Sequence, residues 1–205
     1  MDNEELTLFR DMARRAFEQE IGPHYAAWEE QHMVPRELWN TLGEAGLLCP
    51  DMPEEYGGAG TTPHVCLALI EELSRMGLGG LASGYGIHSN IVAPYINHFG
   101  TEEQKQQWLP KMIRGEAVGA LAMTEPGAGS DLEAIRTNAV QDGDEWVLNG
   151  SKIFITNGWH ADLVIVAAIT DPGKGAKGTS LFLVDTSLPG FEKGKKIEKI
   201  GQHAS

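Results

Sequence analysis

The spacing of apolar residues changes near Gly115, and this change constrains the fold more than any other feature of the sequence. Before Gly115 the apolar residues recur at three- and four-residue steps, as in Leu6, Phe9, Ala13 and Phe17. Such steps are typical of amphipathic helices. The sequence therefore predicts helices over residues 6–17, 35–46, 62–76, 83–98 and 101–115.

Helix start and stop signals support these ranges. Pro63 fits the first position of a helix, and Thr101 with Gln104 three residues later forms a capping-box pattern. The glycine-rich stretch 77–80 predicts a break between two helices, and the Pro/Gly-rich stretch 47–60 predicts a loop.

After Gly115 the apolar pattern shortens to runs that favour β-strands, with turn signals between them. Strong turn signals are Asp142-Gly143 and Asn149-Gly150. Strands are predicted over residues 118–123, 139–141, 146–148, 153–156, 163–169 and 180–184. The helices and strands do not alternate, so an α+β multidomain fold is expected, with an all-α helical domain over residues 1–115 and a β domain over residues 116–205.

Composition and charge exclude several functions. The 205 residues carry a net charge of -13, which argues against nucleic acid or an anionic membrane as a partner. Cys49 and Cys66 are too few for a disulfide framework. The acidic start differs from a signal peptide and no apolar run is long enough to span a membrane, so a cytoplasmic location is expected.

The residues from Met123 to Asp131 form a glycine-rich polar loop directly after a predicted strand. Such a loop lets the backbone approach a bulky anionic ligand closely, although an ordinary turn between strands explains the composition equally well. The third glycine of a dinucleotide-binding fingerprint is missing, because position 132 is Leu. A phosphate-binding loop is also excluded here and at residues 173–180, because that motif has a lysine directly after its last glycine. The first stretch has no such Gly-Lys pair, and in the second Thr179 follows Gly178.

A second segment, residues 150–158, follows some 25 residues later. Thr124 and Thr156 each end a predicted strand, and their hydroxyls could bind the polar edge of a flat heteroaromatic ring. Phe154 would lie on the same strand face as Thr156 and cover that ring. The alternative is that Phe154 is a core residue and Thr156 merely favours a strand.

Other chemistry finds no support in the sequence. The seven histidines are scattered without metal-ligand spacing, which argues against a metal site. No serine lies in a G-x-S-x-G motif, so a hydrolase triad is not predicted.

Four pieces in order resemble the acyl-CoA dehydrogenases over essentially the whole chain. They are residues 53–58 (PEEYGG), residues 99–105 leading to Leu109-Pro110, and the two segments 123–131 and 150–158. The run 87–131 together with residues 150–158 is most similar to the long-chain-type branch, which often has Phe at the position of Phe154.

The resemblance implies a three-part fold: a helical domain, a middle β-barrel-like domain and a C-terminal four-helix bundle that these 205 residues lack. It implies FAD as cofactor, bound between the β domain and the bundles. The implied reaction is α,β-dehydrogenation of an acyl-CoA thioester, in which a carboxylate removes the α-proton and the β-hydrogen leaves as hydride to the flavin. Electrons then pass to an electron-transferring flavoprotein, and the implied assembly is a homotetramer or dimer.

The resemblance also implies a role for individual residues. Thr124 would bond the pyrimidine side of the flavin ring, and the Thr156 hydroxyl would lie near its reactive nitrogen. Ser130 would contact both the cofactor and the acyl-CoA, and the turn at Lys177 and Gly178 would contact the CoA. The full set of implied cofactor-binding residues is Leu121, Met123, Thr124, Gly129, Ser130, Phe154, Ile155 and Thr156.

No catalytic residue is assigned within residues 1–205, because the family's base is a Glu of the C-terminal bundle and Glu125 does not correspond to it. We therefore expect this 205-residue piece to be inactive on its own, and its sheet to have an unpaired edge. A non-catalytic flavin- or acyl-CoA-binding or interaction module and an acyl-CoA oxidase are the alternative functions. Acyl chain length and oligomeric state are not predicted.

Overall fold

The computed structural model describes residues 3–205, without the side chain of residue 3, and its helices precede its strands. This order confirms the predicted fold class. A π-helical turn, Gly86–Val92, joins two of the helices, and short 3-10 turns lie at Glu54–Tyr56, Leu132–Ala134 and Pro172–Gly178. The α-helices are α1 (Asn3–Glu20), α2 (Tyr25–Gln31), α3 (Glu37–Glu44), α4 (Pro63–Arg75), α5 (Gly79–Tyr85), α6 (Ala93–Phe99) and α7 (Glu102–Ile113).

The predicted helix signals act as expected at α4 and α7. Pro63 is the first residue of α4. At α7 the Thr101 hydroxyl accepts a hydrogen bond from the Gln104 backbone at 3.3 Å, while the Gln104 side chain accepts one from the Thr101 backbone at 2.9 Å. The capping box is therefore confirmed.

Two helical predictions differ from the structure. Residues 25–31 form α2, which was not predicted. The expected break at 77–80 is shorter than predicted, because Gly79 and Gly80 already begin α5. Helical backbone then continues through the π-helical turn into α6, so residues 79–99 are helical throughout.

The strands are β1 (Gly119–Ala122), β2 (Asn138–Asp142), β3 (Glu145–Asn149), β4 (Leu163–Ile169) and β5 (Thr179–Asp185). They form a five-stranded mixed sheet centred on β4. β4 pairs in parallel with β1, in parallel with β2 through Asn138 and Ile169, and antiparallel with β5 over its whole length. β2 and β3 form a hairpin that turns at Gly143, whose φ is 62°.

The predicted strand at residues 153–156 is wrong. Residues 151–156 have no strand pairing, and Phe154 has a left-handed backbone with φ 60°. This conformation breaks the alternation of a strand, so Phe154 and Thr156 do not share a strand face. β-favouring composition alone misled the prediction, because it does not show where a backbone turns.

Helices and sheet share one hydrophobic core. Leu163 and Ile165 of β4 and Val118 lie in the same buried cluster as Trp39 of α3 and Leu69 of α4. The opposite sheet face forms a second cluster, in which Val164 and Val166 pack with Leu148, Ile155 and Phe191. The two sides of the sheet therefore bury different segments, and the side away from the helices is covered by the chain around residue 155.

Polar contacts also join the helices to the sheet where one leads into the other. The Arg36 guanidinium at the start of α3 donates to the carbonyls of Gly115 and Glu116, each at 2.8 Å. It also pairs with Asp162 at 3.0 Å, and Asp162 accepts from the Val118 backbone at 2.8 Å. These contacts fix the position at which the chain enters β1.

Within the described residues, none of the helices has the length and apolar character needed to cross a membrane.

Candidate functional site

The two segments singled out in the sequence lie side by side. The Ile153 backbone donates to the Thr124 carbonyl at 2.9 Å, and the Lys152 ammonium donates to the Met123 carbonyl at 3.0 Å. Residues 123–131 and 150–158 thus form one surface, although they are separated in sequence.

A buried ion pair links the same segments. Lys152 Nζ lies 2.8 Å from Glu125 Oε1, and these side chains are only 10% and 7% exposed. The Glu125 carboxylate also accepts from the backbone N–H groups of Arg136 at 2.7 Å and Thr137 at 3.0 Å. A carboxylate with this many donors is held in one orientation.

The surroundings of Glu125 decide its charge. Burial alone would raise its pKa, but the Lys152 ammonium and the backbone N–H groups of Arg136 and Thr137 outweigh burial and lower the pKa to about 2. Glu125 is therefore ionised at neutral pH. A carboxylate with so low a pKa is a poor general base.

Asn157 anchors the far end of the second segment. Its side-chain amide donates to the carbonyl of Gly84 in α5 at 2.8 Å and to that of Gly119 in β1 at 3.1 Å. The residue is buried and has φ 65°, a conformation that Asn tolerates better than most residues. It ties the segment to both the helical part and the sheet.

His88 supports the same region from the π-helical turn. Its Nδ1 accepts from the Gly119 backbone at 3.1 Å, and its Nε2 donates to the Met112 carbonyl at 3.1 Å. These two partners fix a neutral tautomer. Burial lowers the pKa of His88 to about 4, so the ring stays uncharged at neutral pH.

The predicted cofactor residues divide between exposed and half-buried positions. Phe154 is 67% exposed, which rules out the alternative that it is a core residue. Gly129 and Ser130 are exposed on the glycine-rich loop. The remaining predicted residues are half-buried: Leu121, Met123, Thr124, Ile155 and Thr156.

Packing separates some of these residues. Leu121 packs against the core shared with the helices, whereas Ile155 packs on the opposite face of the sheet. Met123 contacts a third small cluster that contains Ala128 and Ala167. The structure brings Thr124 next to Ile153, and it places Leu121 and Ile155 on different sides of β1.

The predicted substrate turn lies between β4 and β5. Lys177 is exposed, whereas Gly178 is buried and its carbonyl accepts from the backbones of Thr170 and Asp171. A Cβ atom at position 178 would collide with the Asp171 carbonyl, so the turn requires glycine for its own packing. The close packing of the turn explains Gly178 without a ligand.

A small cavity lies between this turn and the glycine-rich loop. Its volume is about 180 Å³, and it separates Met123 on one side from Ala176 and Thr179 on the other. Leu132, Ile135 and Ala167, together with Glu133, complete its lining. The turn around residue 177 is therefore adjacent to the first motif segment.

Lys152, Asn157 and His88 were not predicted as site residues. Lys152 and Asn157 stand inside the second motif segment, but lysine is usually solvated, and nothing in the local pattern shows that the Lys152 side chain is only 10% exposed. His88 gives no signal, because its partners Met112 and Gly119 are distant in sequence. In the part of the chain described, no three side chains of His, Cys, Asp or Glu are grouped as metal ligands.

Comparison with known proteins identifies the family. Residues 3–116 match the model of the acyl-CoA dehydrogenase N-terminal domain, and residues 120–205 match that of the middle domain. The chain belongs to the acyl-CoA dehydrogenase family, as the sequence resemblance predicted.

Individual relatives agree with this assignment. The chain is 47% identical over 199 residues to the mitochondrial long-chain specific acyl-CoA dehydrogenase of Sus scrofa, covering 96% of this chain and 46% of the relative. A crystal structure of acyl-CoA dehydrogenase from Geobacillus kaustophilus superposes with a TM-score of 0.95 at 49% identity, covering 99% of this chain and 53% of that one.

A glutaryl-CoA dehydrogenase from Mycobacterium smegmatis, solved in complex with FADH2, superposes with a TM-score of 0.89 at 32% identity, covering 100% of this chain and 51% of that one. The chain thus spans about half the length of these relatives.

Proposed function

We propose that this chain supplies the helical and middle β portions of an FAD-dependent acyl-CoA dehydrogenase, which catalyses α,β-dehydrogenation of an acyl-CoA thioester. The observation that carries the proposal is the side-by-side placement of residues 123–131 and 150–158, joined at Thr124 and Ile153. Family membership supports the same reaction class.

The residues at this surface fit a flat heteroaromatic cofactor. Phe154 offers an exposed aromatic ring, and its left-handed backbone is a conformation that is often retained for function. Thr124 and Thr156 offer hydroxyls that can donate or accept at the ring edge. When bound, FAD would supply the acceptor for the substrate hydrogen, and the protein would supply orientation.

The proposed assignments follow the sequence analysis. The side chain of Thr124 and the segment 154–156 would hold the flavin ring, and Leu121 and Met123 would also line it. Gly129 and Ser130, both exposed, would contact the cofactor near its phosphates. Ser130 together with the turn at Lys177 and Gly178 would bind the acyl-CoA, a role supported only by the closeness of that turn to the loop across the small cavity.

The proposed partners are an electron-transferring flavoprotein and further copies of the protein in a tetramer or dimer. The division into domains at residues 1–115 and 116–205 also remains a proposal. A cytoplasmic location is proposed from the sequence, whereas the relative from Sus scrofa is named as mitochondrial.

An anaerobic titration tests the main proposal. The full-length protein that carries these residues should purify with FAD, and acyl-CoA thioesters of graded chain length should bleach its visible flavin absorbance. A protein without flavin, or a flavin that no acyl-CoA reduces, would contradict the proposal.

Two further measurements separate the alternatives. Rapid reoxidation of the reduced flavin by oxygen would identify an oxidase instead of a dehydrogenase. The 205-residue polypeptide alone should show no turnover; binding of FAD or acyl-CoA without turnover by the full-length protein would favour a non-catalytic binding module.

A further inference from the structure

We propose that the Lys152–Glu125 ion pair is a positioning device, which sets the spacing between the two segments of the cofactor surface before the cofactor binds. This inference rests on the proposed function. Neither residue is assigned contact with the cofactor or substrate, and both are proposed to act through the backbone that they hold.

The contacts of Lys152 cross from one segment to the other. Its ammonium reaches both the Met123 carbonyl at 3.0 Å and the Glu125 carboxylate at 2.8 Å, on either side of Thr124. The next residue, Ile153, donates its backbone N–H to Thr124 itself at 2.9 Å. Three consecutive residues of the first segment are thus fixed against two consecutive residues of the second.

Glu125 extends the same network through the glycine-rich loop. Its second oxygen accepts from Arg136 and its first from Thr137, which lie beyond the loop and directly before β2. The backbone N–H and carbonyl of Glu125 also exchange hydrogen bonds with Ala128. One carboxylate therefore joins the beginning of the loop, the residues directly before β2 and the second segment.

No β-ladder replaces these contacts. Among the residues described, 150–161 contain no strand, so Phe154 to Thr156 are positioned by hydrogen bonds at Ile153 and Asn157 and by the packing of Ile155 on the sheet. A close approach also fixes the start of the segment, where a Cβ atom at Gly150 would collide with Thr137. Lys152 is the charged member of this set, and Asn157 secures the other end.

Stability alone does not account for a buried ion pair at this place. Desolvating two charges is expensive, and well-packed apolar residues often stabilise a fold as much or more. Such pairs are instead retained in some proteins because they specify one arrangement among several. Here the arrangement specified is the distance between the Thr124 hydroxyl and the segment that carries Phe154 and Thr156.

The test compares three substitutions in the full-length protein. Lys152→Met removes the ammonium but keeps most of the apolar stem, and Glu125→Gln removes the charge but keeps an acceptor oxygen. Arg114→Met is the matched control, because Arg114 forms an exposed ion pair with Glu116 at 2.8 Å and 55% of its side chain is exposed. The readouts are the FAD dissociation constant, the visible spectrum of bound flavin and the melting temperature of the apoprotein.

Lys152→Met should raise the FAD dissociation constant about 10-fold or more, equivalent to the loss of one well-placed interaction, and should change the flavin spectrum. Glu125→Gln should act in the same direction. The double variant should lose less FAD-binding free energy than the two single variants added together, because the residues act as a pair. Arg114→Met should leave FAD affinity within about twofold of the parent.

Three results would overturn the assignment. If Lys152→Met lowers the apoprotein melting temperature but binds FAD normally with an unchanged spectrum, the pair is only structural. If Lys152→Met does not fold, Glu125→Gln decides, and normal FAD affinity in that variant rejects the proposal. A parent protein that binds no FAD rejects the proposed function itself, together with this inference.

Discussion

The helical core and the β2–β3 hairpin of this molecule bury their side chains to very different degrees. The helices enclose large, fully buried residues such as Phe17, Trp39 and Leu69. The β2–β3 hairpin instead exposes Val140 and Val147, which pair across the two strands. The glycine-rich loop and Phe154 are exposed on the same half of the chain.

This difference indicates that the helical part contributes mainly to stability and the sheet part mainly to ligand binding. The helical part resembles the interior of an ordinary domain, in which packing determines stability. The sheet part presents apolar and glycine-rich surface, and it holds its irregular segments by single polar contacts such as those of Lys152 and Asn157. Substitutions should therefore affect folding most in the helices and ligand binding most in the sheet.

The largest effect is expected from a cavity in the helical core. Leu69 of α4 is fully buried, so Leu69→Ala should lower the free energy of unfolding by about 4 kcal/mol, measured by urea denaturation. Leu67→Ala on the same helix is the matched control, since Leu67 is exposed, and should cost far less. Equal losses in the two variants would contradict the contrast.

The second prediction concerns His88, which joins the two parts through Met112 and Gly119. Burial lowers its folded pKa to about 4 from an ordinary value of 6.5, so the unfolded chain binds more protons between these values. The contribution of neutral His88 to the free energy of unfolding is therefore present above pH 6.5 and is lost on acidification. The loss is about 2 kcal/mol at pH 5 and about 3 kcal/mol below pH 4.

Urea denaturation at pH 7 and pH 5 measures this loss. His160 has a lowered pKa, chiefly because it is buried, and contributes in the same direction, so the parent must be compared with a variant that lacks only His88. His88→Gln keeps hydrogen-bonding capacity without titrating in this range. If His88→Gln loses as much stability on acidification as the parent, His88 is not the titrating group.

The third prediction concerns Asn157, a further contact between the two parts. Asn157→Ala removes the donor to the carbonyls of Gly84 and Gly119 and should lower the free energy of unfolding by about 2 kcal/mol. Asn157→Gly removes the same donor but relieves the left-handed backbone, so it should be less destabilising than alanine. Calorimetry on both variants separates the hydrogen bonds from backbone strain, and unchanged stability in both would refute the role of the side-chain amide.

The regular elements could be predicted from the sequence because their signals are local. The apolar steps of α1, the Pro63 start of α4 and the run of β4 all lie within a few residues of the elements that they specify. The segment 151–156 could not be predicted correctly, since its conformation depends on Thr124, Glu125 and Gly84, which are distant in sequence.

In the candidate site too, some features could be predicted from local sequence and others depend on distant residues. The two motif segments were found because their order matched a known family, and the structure places them together. The low exposure of the Lys152 and Glu125 side chains depends on the packing of the folded chain, so it cannot be predicted from composition. The sequence therefore identified two segments that lie together, but not the charged pair that joins them.

The smallest expected effect tests the exposed face of the hairpin. Val147→Thr keeps the side-chain shape and places a hydroxyl at a position that is 47% exposed, so the free energy of unfolding should change by less than about 0.5 kcal/mol. Val164→Thr makes the same change at a buried position of β4 and should cost about 2 kcal/mol, because the added hydroxyl is removed from water. Urea denaturation of the two variants gives the comparison directly. If Val147→Thr lowers the free energy of unfolding as much as Val164→Thr does, another protein surface covers this face of the hairpin in solution. The difference in burial between the helical core and the hairpin would then not hold in the assembled protein.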